Sequence, residues 1–168
     1  SASGSVRSAL EKLQNENIKG LILDLRGNGG GLLQEAVNIL GLFVPTKSKV
    51  VTMKGRSPNF NKEYYTSGKP IALDLPLVVL VDNKSASASE IVAGTIQDMD
   101  RGIIVGQTSF GKGLVQRGFD LPDGSELRLT IARYYTPSGR SIQKPYDKGI
   151  ENYYMEMYNR LENGELMD

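Results

Sequence analysis

The chain has 168 residues, 20 lysines and arginines against 19 aspartates and glutamates, and neither histidine nor cysteine. This length suits one domain that buries about 70% of its unfolded surface. The small net charge without basic runs gives no support to nucleic-acid binding, the usual zinc ligands are missing, and no apolar stretch reaches membrane-spanning length. A hydrolase built on this chain therefore has no imidazole base and no thiol nucleophile, and depends on a hydroxyl and an amine.

The hydrophobic pattern predicts alternating strands and helices. An N-terminal helix contains Val6, Leu10 and Leu13, and a tail helix is predicted over residues 150–168. Between them the pattern predicts helices at 32–43 and 87–99, and strands at 18–26, 49–54, 61–66, 77–81, 103–105, 113–121 and 126–135. Pro122-Asp123-Gly124 is typical of a hairpin turn. This order favours an α/β fold with a mixed, largely parallel sheet.

A serine-rich corner follows the predicted strand 77–81. Residues 82–84 are typical of a turn, and Ser-Ala-Ser-Ala-Ser-Glu over residues 85–90 opens the next helix. Such a corner places a side chain at a helix N-terminus, where free backbone N–H groups and the helix dipole can stabilise an oxyanion. Serine is also a favoured N-cap, so an ordinary capping cluster is the alternative interpretation.

A lysine between two glycines, Lys112, follows the predicted strand 103–105. Residues 106–112 match G-x-x-x-x-G-K, but Gly113 stands where a nucleotide site needs serine or threonine. A strand rather than a helix then follows, so nucleotide binding is not favoured. Glycines on both sides of a lysine instead allow another segment to approach closely and allow the ammonium to be buried.

A glycine-rich turn over residues 27–31 follows the predicted strand 18–26. The dinucleotide-binding pattern G-x-G-x-x-G fails in both registers, because its third glycine would fall at Leu32 or Gln34. The turn can offer an N–H to an oxyanion. The alternative is a tight turn that needs glycines for positive φ.

Three charged residues lie beside apolar runs: Asp24, Arg26 and Glu90. Because buried charges need partners, a structural ion-pair network is favoured over direct chemistry for each of them. In that network Arg26 pairs with Glu90 or with Asp24.

Together these motifs resemble the carboxyl-terminal processing peptidases (family S41, tail-specific proteases), serine endopeptidases with a Ser–Lys dyad. The resemblance rests on Ser-Ala-Ser-Ala-Ser-Glu, on Ser-Phe-Gly-Lys-Gly followed by Gln, and on Leu-Asp-Leu-Arg-Gly-Asn-Gly-Gly-Gly, and covers residues 20–143. It implies that Ser87 is the nucleophile, Lys112 the general base and Gln116 the residue that orients the lysine. A surface glutamine on a strand is the alternative for Gln116.

The resemblance also implies supporting roles. The oxyanion donors are implied to be the N–H of Ala88 and one N–H from the glycine turn, for which Gly30 is favoured. Ser109 stands where the family commonly has threonine, and it keeps the hydroxyl. Glu90 and Arg26 are expected to support the site.

A lysine acts as a base only in its neutral form, and an ordinary lysine pKa of about 10.4 keeps the amine protonated at neutral pH. A dry, apolar setting favours the neutral amine. That setting is expected from five side chains: Phe110, Leu114, Val115, Ile91 and Val92. Because Gln116 carries no charge, its carbonyl can orient the amine without stabilising the ammonium.

Three functions follow as hypotheses. The favoured one is an endopeptidase that cleaves near the C-termini of protein or peptide substrates and needs no cofactor or metal. The second is a catalytically silent peptide-binding scaffold of the same fold, and the third is a crotonase-type acyl-CoA enzyme that would not need the Ser–Lys pair. The joint presence of Ser87, Lys112 and Gln116 favours the first.

The resemblance implies the crotonase/Clp-type spiral of ββα units and a single catalytic core over residues 1–168. Family members usually carry a peptide-binding PDZ module before this core, so such a module is expected in the full-length protein. A place in the cell envelope or periplasm is also implied, and a homo-oligomer is compatible with the resemblance.

Overall fold

Helices and strands alternate along the chain much as the pattern predicts. The computed structural model describes residues 1–146 and the isolated positions 149, 151, 155, 158 and 162; the tail helix expected over 150–168 otherwise lies outside the described residues. The helices are α1 (Ala2–Asn15), α2 (Leu33–Leu40) and α3 (Ala88–Asp98), with a 3-10 turn at Pro58–Phe60. The strands are β1 (Leu21–Asp24), β2 (Lys49–Gly55), β3 (Lys62–Tyr65), β4 (Leu77–Val81), β5 (Ile103–Gly106), β6 (Leu114–Asp120) and β7 (Glu126–Tyr135). None of the helices in the described part of the chain has the length and apolar character needed to cross a bilayer.

A three-stranded parallel sheet positions the candidate site. Its order is β1-β4-β5, with β4 in the centre. Because the strands are parallel, their carboxyl ends lie at one edge, and the glycine turn, the serine corner and the lysine loop all leave from it. Ligands of open α/β sheets bind at this edge. The topology therefore brings together three motifs that are far apart in sequence.

A four-stranded antiparallel sheet, with the order β3-β2-β7-β6, forms the second layer of strands. β6 and β7 form the hairpin that the turn at residues 122–124 predicts, and β6 begins two residues after Lys112. The β6–β7 register shifts between Val115 and Gln116. Such irregularities re-aim side chains and are frequent beside active sites. The observed strands and helices confirm the predicted α/β class. The sequence pattern does not reveal that the strands divide into two sheets.

The hydrophobic core joins both sheets to the helices. Val79 of β4, Leu40 of α2 and Ile96 of α3 are each fully buried. The hydroxyl of Thr95 donates to the Val50 carbonyl at 2.8 Å, which satisfies a buried polar group and ties α3 to β2. The apolar spacing of this helix predicts that its inner face carries Ile91, Val92, Thr95, Ile96 and Met99, and the structure confirms it, because these residues lie in the core or pack against it.

One face of the parallel sheet is open, although the apolar run over residues 18–26 predicts a buried strand. Ile22 and Ile103 are each 65% exposed. They lie in register on either side of Val78, so they share a face. Parallel sheets are usually covered on both faces, and the described residues leave much of this one accessible.

The core and the open face make a matched pair for a stability test. Ile96→Ala should lower the free energy of unfolding by about 2–5 kcal/mol, because it removes a fully buried side chain. Ile22→Ala, the same substitution at an exposed position, should cost less than about 1 kcal/mol. Urea denaturation measures both. Equal losses in the two variants would contradict the burial assigned to them.

Candidate active site

Ser87 has a backbone conformation that few residues other than glycine adopt. Its φ is 57° and its ψ is −115°, outside the helical and extended regions. α3 begins at the next residue, so Ser87 lies at a sharp strand-to-helix turn. Turns of this kind raise a nucleophilic serine above the sheet in α/β hydrolases, and strained residues of this type concentrate at functional sites.

The three alternating serines have different surroundings. Ser85 and Ser89 are buried, whereas Ser87 is partly exposed. The Ser85 hydroxyl donates to the Leu25 carbonyl at 2.8 Å and accepts from the Asp82 N–H at 2.9 Å. Ser85 is therefore used within the fold. Ser87 is also the N-cap residue of α3, so the capping interpretation describes its position without excluding chemistry.

The buried carboxylate of Glu90 joins the serine corner to the lysine loop. Its side chain is 5% exposed and accepts four hydrogen bonds. Oε1 accepts from the Ser109 hydroxyl at 2.7 Å and from the Gly111 N–H at 2.6 Å. Oε2 accepts from the N–H groups of Ser87 and Lys112, each at 2.8 Å. Because these two nitrogens share one acceptor atom, they lie no further apart than twice that distance.

Arg26 pairs with Asp24, one of the two partners predicted for it. The guanidinium contacts the carboxylate at 2.7 Å, and both side chains are about half exposed. The side-chain hydrogen bond from Arg26 lowers the pKa of Asp24 to about 2, helped by the Arg26 backbone N–H. The alternative pairing with Glu90 is not formed, because neutral donors surround that carboxylate. The pair is thus a surface interaction rather than a buried network.

The glycine turn lies directly against the serine corner. Gly30 has a φ of 94°, and a Cβ added there would lie 2.5 Å from the Ala86 carbonyl oxygen and 2.8 Å from the Ala88 nitrogen. The Ala86 N–H donates to the Asn28 carbonyl at 3.0 Å, which fixes the turn in place. Glycine at position 30 is therefore required both by the positive φ and by the close approach.

The two N–H groups implied as oxyanion donors differ in whether they already donate a hydrogen bond within the protein. The Ala88 N–H, at the start of α3, has no hydrogen-bond partner within the described residues. The Gly30 N–H donates to the Asn28 side-chain oxygen at 2.9 Å. An oxyanion at this point would have to displace the Asn28 side chain in order to use Gly30.

Asp82 ties the glycine turn to the serine corner. Oδ1 accepts from the Gly27 N–H at 2.9 Å and from the N–H groups of Lys84 and Ser85, each at 3.0 Å. The hydrogen bond from Gly27 is the main cause of the lowered pKa of Asp82. From the sequence, Asp82 is predicted only to lie in a turn. An Asx turn is foreseeable there, but the bond to Gly27 depends on the parallel pairing of β1 with β4.

The glycines beside Lys112 allow the close approach that the sequence predicts, which confirms that expectation. A Cβ on Gly111 would lie 2.6 Å from the Cβ of Lys144, and one on Gly113 would lie 2.4 Å from the Gln143 nitrogen. The Lys144 N–H donates to the Gly111 carbonyl at 3.0 Å. The approaching segment lies about thirty residues downstream, and no local sequence pattern indicates it.

The dry setting expected around the lysine is not formed by the described residues. Lys112 is exposed and Phe110 is 50% exposed, while Ile91 and Val92 belong to the hydrophobic core. The physical reason is that the loop is held through its backbone. Phe110 donates its N–H to the Ser85 carbonyl at 3.0 Å, while its ring remains outside.

Two further predicted site residues, Ser109 and Gln116, lie in different surroundings from each other. Ser109 contacts Glu90 and so belongs to the link between the corner and the loop. Gln116 is exposed on β6, opposite Thr130 and next to the register shift. Its orienting role stays a prediction.

The chain belongs to peptidase family S41, whose family model matches residues 1–153. It is 44% identical over 139 residues to the carboxyl-terminal-processing protease of Synechocystis sp., covering 83% of this chain and 32% of that protein. It is 41% identical over 143 residues to the carboxy-terminal processing protease CtpB of Bacillus subtilis, covering 85% and 29%. A solved structure of the photosystem II D1 C-terminal processing protease superposes with a TM-score of 0.78 at 39% identity, covering 84% of this chain and 36% of that one.

These similarities confirm the family and the fold that the motifs predict. The chain spans about a third of the length of the curated relatives that it matches.

The charge of Glu90 can be tested by an isosteric change. Glu90→Gln replaces one acceptor oxygen with an NH₂ group, which then faces N–H donors. The free energy of unfolding should fall by about 1.5–3 kcal/mol for each hydrogen bond that is lost. Chemical denaturation measures the loss. Glu126→Gln, at an exposed glutamate paired with Arg128, is the control and should stay within about 0.5 kcal/mol of the parent.

A second test concerns the fit of Gly30 against the corner. Gly30→Ala should lower the free energy of unfolding by about 1–3 kcal/mol, because it adds a clash and a strained positive φ. Gly29→Ala meets nothing within 4 Å and should leave stability unchanged or slightly raised. Thermal unfolding compares the two variants. If Gly30→Ala left the free energy of unfolding unchanged, the turn would not be in close contact with the serine corner.

Proposed function

We propose that this chain is the catalytic core of a serine endopeptidase of the C-terminal processing type, which cleaves near the C-termini of protein substrates through a Ser87–Lys112 dyad. The names of the similar proteins support this reaction and substrate class. The absence of histidine and cysteine from the sequence supports lysine as the base.

One observation carries the proposal. Ser87 is partly exposed and lies in a strained turn. Its backbone N–H and the backbone N–H of Lys112, 25 residues further along the chain, donate to the same oxygen of the Glu90 carboxylate. A fold that needed Ser87 only as a helix cap would not require the lysine loop to bind the same carboxylate. A nucleophile and its base, by contrast, must be held at a fixed separation.

Acylation would begin with transfer of the Ser87 hydroxyl proton to the neutral amine of Lys112. The Ser87 oxygen forms a bond to the substrate carbonyl carbon, and the carbonyl electron pair moves to its oxygen. The Ala88 N–H would stabilise this oxyanion, with one N–H of the glycine turn as the second donor. The intermediate then expels the amine of the product, which takes the proton from Lys112 and leaves an ester on Ser87.

Deacylation would repeat these steps with water. Lys112 takes a proton from the water, the resulting oxygen attacks the ester carbonyl, and the same donors stabilise the second oxyanion. The bond to the Ser87 oxygen breaks, and the serine recovers its proton from Lys112. Each oxyanion donor typically contributes about 10²–10³ in rate.

One observation favours the silent scaffold as a second candidate. Lys112 is exposed in the described structure, whereas a lysine that acts as a base needs a dry, apolar setting. The peptidase reaction therefore requires that residues outside the described range, or the bound substrate, exclude water from the Lys112 side chain. A PDZ module and a place in the cell envelope remain predictions that follow from the same family, and a homo-oligomer is compatible with it.

The proposal is tested in the full-length protein with a peptide substrate and an active-serine phosphonate. The phosphonate should label Ser87, as read by mass spectrometry. Ser87→Ala, Lys112→Ala and Lys112→Arg should each lose cleavage, since arginine stays protonated and cannot act as a base. Ser87→Ala should leave peptide binding largely intact.

Lys69→Arg, at an exposed lysine between β3 and β4, is the matched control and should cleave at the parental rate. A folded Lys112→Arg variant that cleaves near the parental rate would rule out the dyad. A parent that neither cleaves nor becomes labelled would support the scaffold, and acyl-CoA turnover that tolerates the lysine change would support the crotonase-type enzyme.

A further inference from the structure

The backbone around Lys112 is held from two sides by buried side chains. On one side, Glu90 accepts from the N–H groups of Gly111 and Lys112. On the other side, Oε1 of Gln143 accepts from the Gly113 N–H at 3.0 Å. Three consecutive N–H groups centred on the lysine therefore end on side-chain oxygens rather than on water or on a neighbouring strand.

Gln143 is fixed in its own orientation. It is 7% exposed, and its Nε2 donates to the Lys144 carbonyl at 3.0 Å while its Oε1 accepts from Gly113. Its backbone N–H donates to the Ser141 hydroxyl at 3.3 Å. Because one end of the amide faces a donor and the other faces an acceptor, only one orientation satisfies both.

The contact between Gln143 and the lysine loop has little room to change. Any side chain at Gly113 would overlap the Gln143 backbone. Tyr134 of β7 donates its N–H to the Gly113 carbonyl at 2.8 Å and accepts from the Ile142 N–H at 3.3 Å. The loop and the segment carrying Gln143 are thus tied to the same residue of the antiparallel sheet.

We infer that Gln143 is a positioning residue for Lys112: it holds the Gly113 N–H and so fixes the backbone from which the lysine reaches toward Ser87. The inference rests on the proposed dyad. With Gln143 intact, the lysine loop is held on both sides. Without its oxygen, only Glu90 still accepts from the N–H groups of residues 111–113, and the buried Gly113 N–H has no acceptor. The hydrogen bonds to the Gly111 and Gly113 carbonyls remain, so the loop loses precision of placement rather than its fold.

A small displacement of the lysine is expected to slow the reaction more than it weakens binding. Catalytic groups that are misplaced by about 1 Å can lose about 10²-fold in rate. Substrate contacts made elsewhere would be unchanged, so the loss should fall on kcat rather than on KM.

The test uses Gln143→Met in the full-length protein, since methionine has a similar length but offers only a weak acceptor. Hydrogen exchange at the Gly113 amide should become faster than in the parent. The kcat for peptide cleavage and the rate of phosphonate labelling at Ser87 should both fall at least about tenfold, with KM within about twofold. Gln143→Asn, whose shorter side chain withdraws the oxygen, should give the same losses and replaces the methionine variant if that one does not fold.

Thr95→Val is the matched control, because it also removes a buried side-chain hydrogen bond but lies on the core side of α3. It should lower the melting temperature while kcat and labelling stay at parental values. The inference is overturned if folded Gln143 variants retain parental kcat, or if Gly113 exchange is unchanged. Failure of the parent to cleave or be labelled would instead overturn the proposed dyad, and with it the positioning role.

Discussion

The hydrogen bonding of the Glu90 carboxylate is the interaction on which the candidate site depends. A buried carboxylate is costly unless donors surround it, and Glu90 meets this need with three backbone N–H groups and one hydroxyl. Those donors come from two segments that the parallel sheet brings to the same edge. The requirement to satisfy one charge thus fixes the distance between the serine corner and the lysine loop.

The same chemistry recurs at Asp82, whose carboxylate joins the glycine turn to the serine corner. The two carboxylates connect the three segments in series, each through backbone N–H groups rather than through cations. This arrangement explains how Ser87 keeps its strained conformation. A sparsely populated backbone conformation persists when several surrounding contacts hold it. Ser87 has three: its N–H donates to Glu90, Gly30 packs closely against it, and α3 begins at the next residue.

The site is defined more firmly in its backbone than in its side-chain environment. The N–H groups around Lys112 are bound to buried oxygens, yet the lysine itself is exposed. Positioning and desolvation are thus separate contributions. The described residues supply the first, and the proposed reaction requires the second from elsewhere in the protein or from the substrate.

Local periodicity and turn chemistry are enough to predict the elements and the motifs. They predict the apolar face of α3, the hairpin at residues 122–124 and the placement of three motifs after three strands. The sequence also indicates that glycines beside Lys112 admit another segment. The identity of that segment is visible only in the folded chain, because Gln143 is distant in sequence and the contact depends on how β7 returns to the loop. The folded chain likewise reveals three features that the sequence did not establish: the pairing of Arg26 with Asp24, the four donors of Glu90 and the exposure of Lys112. Each depends on the relative placement of chain segments in space, which local sequence patterns do not encode.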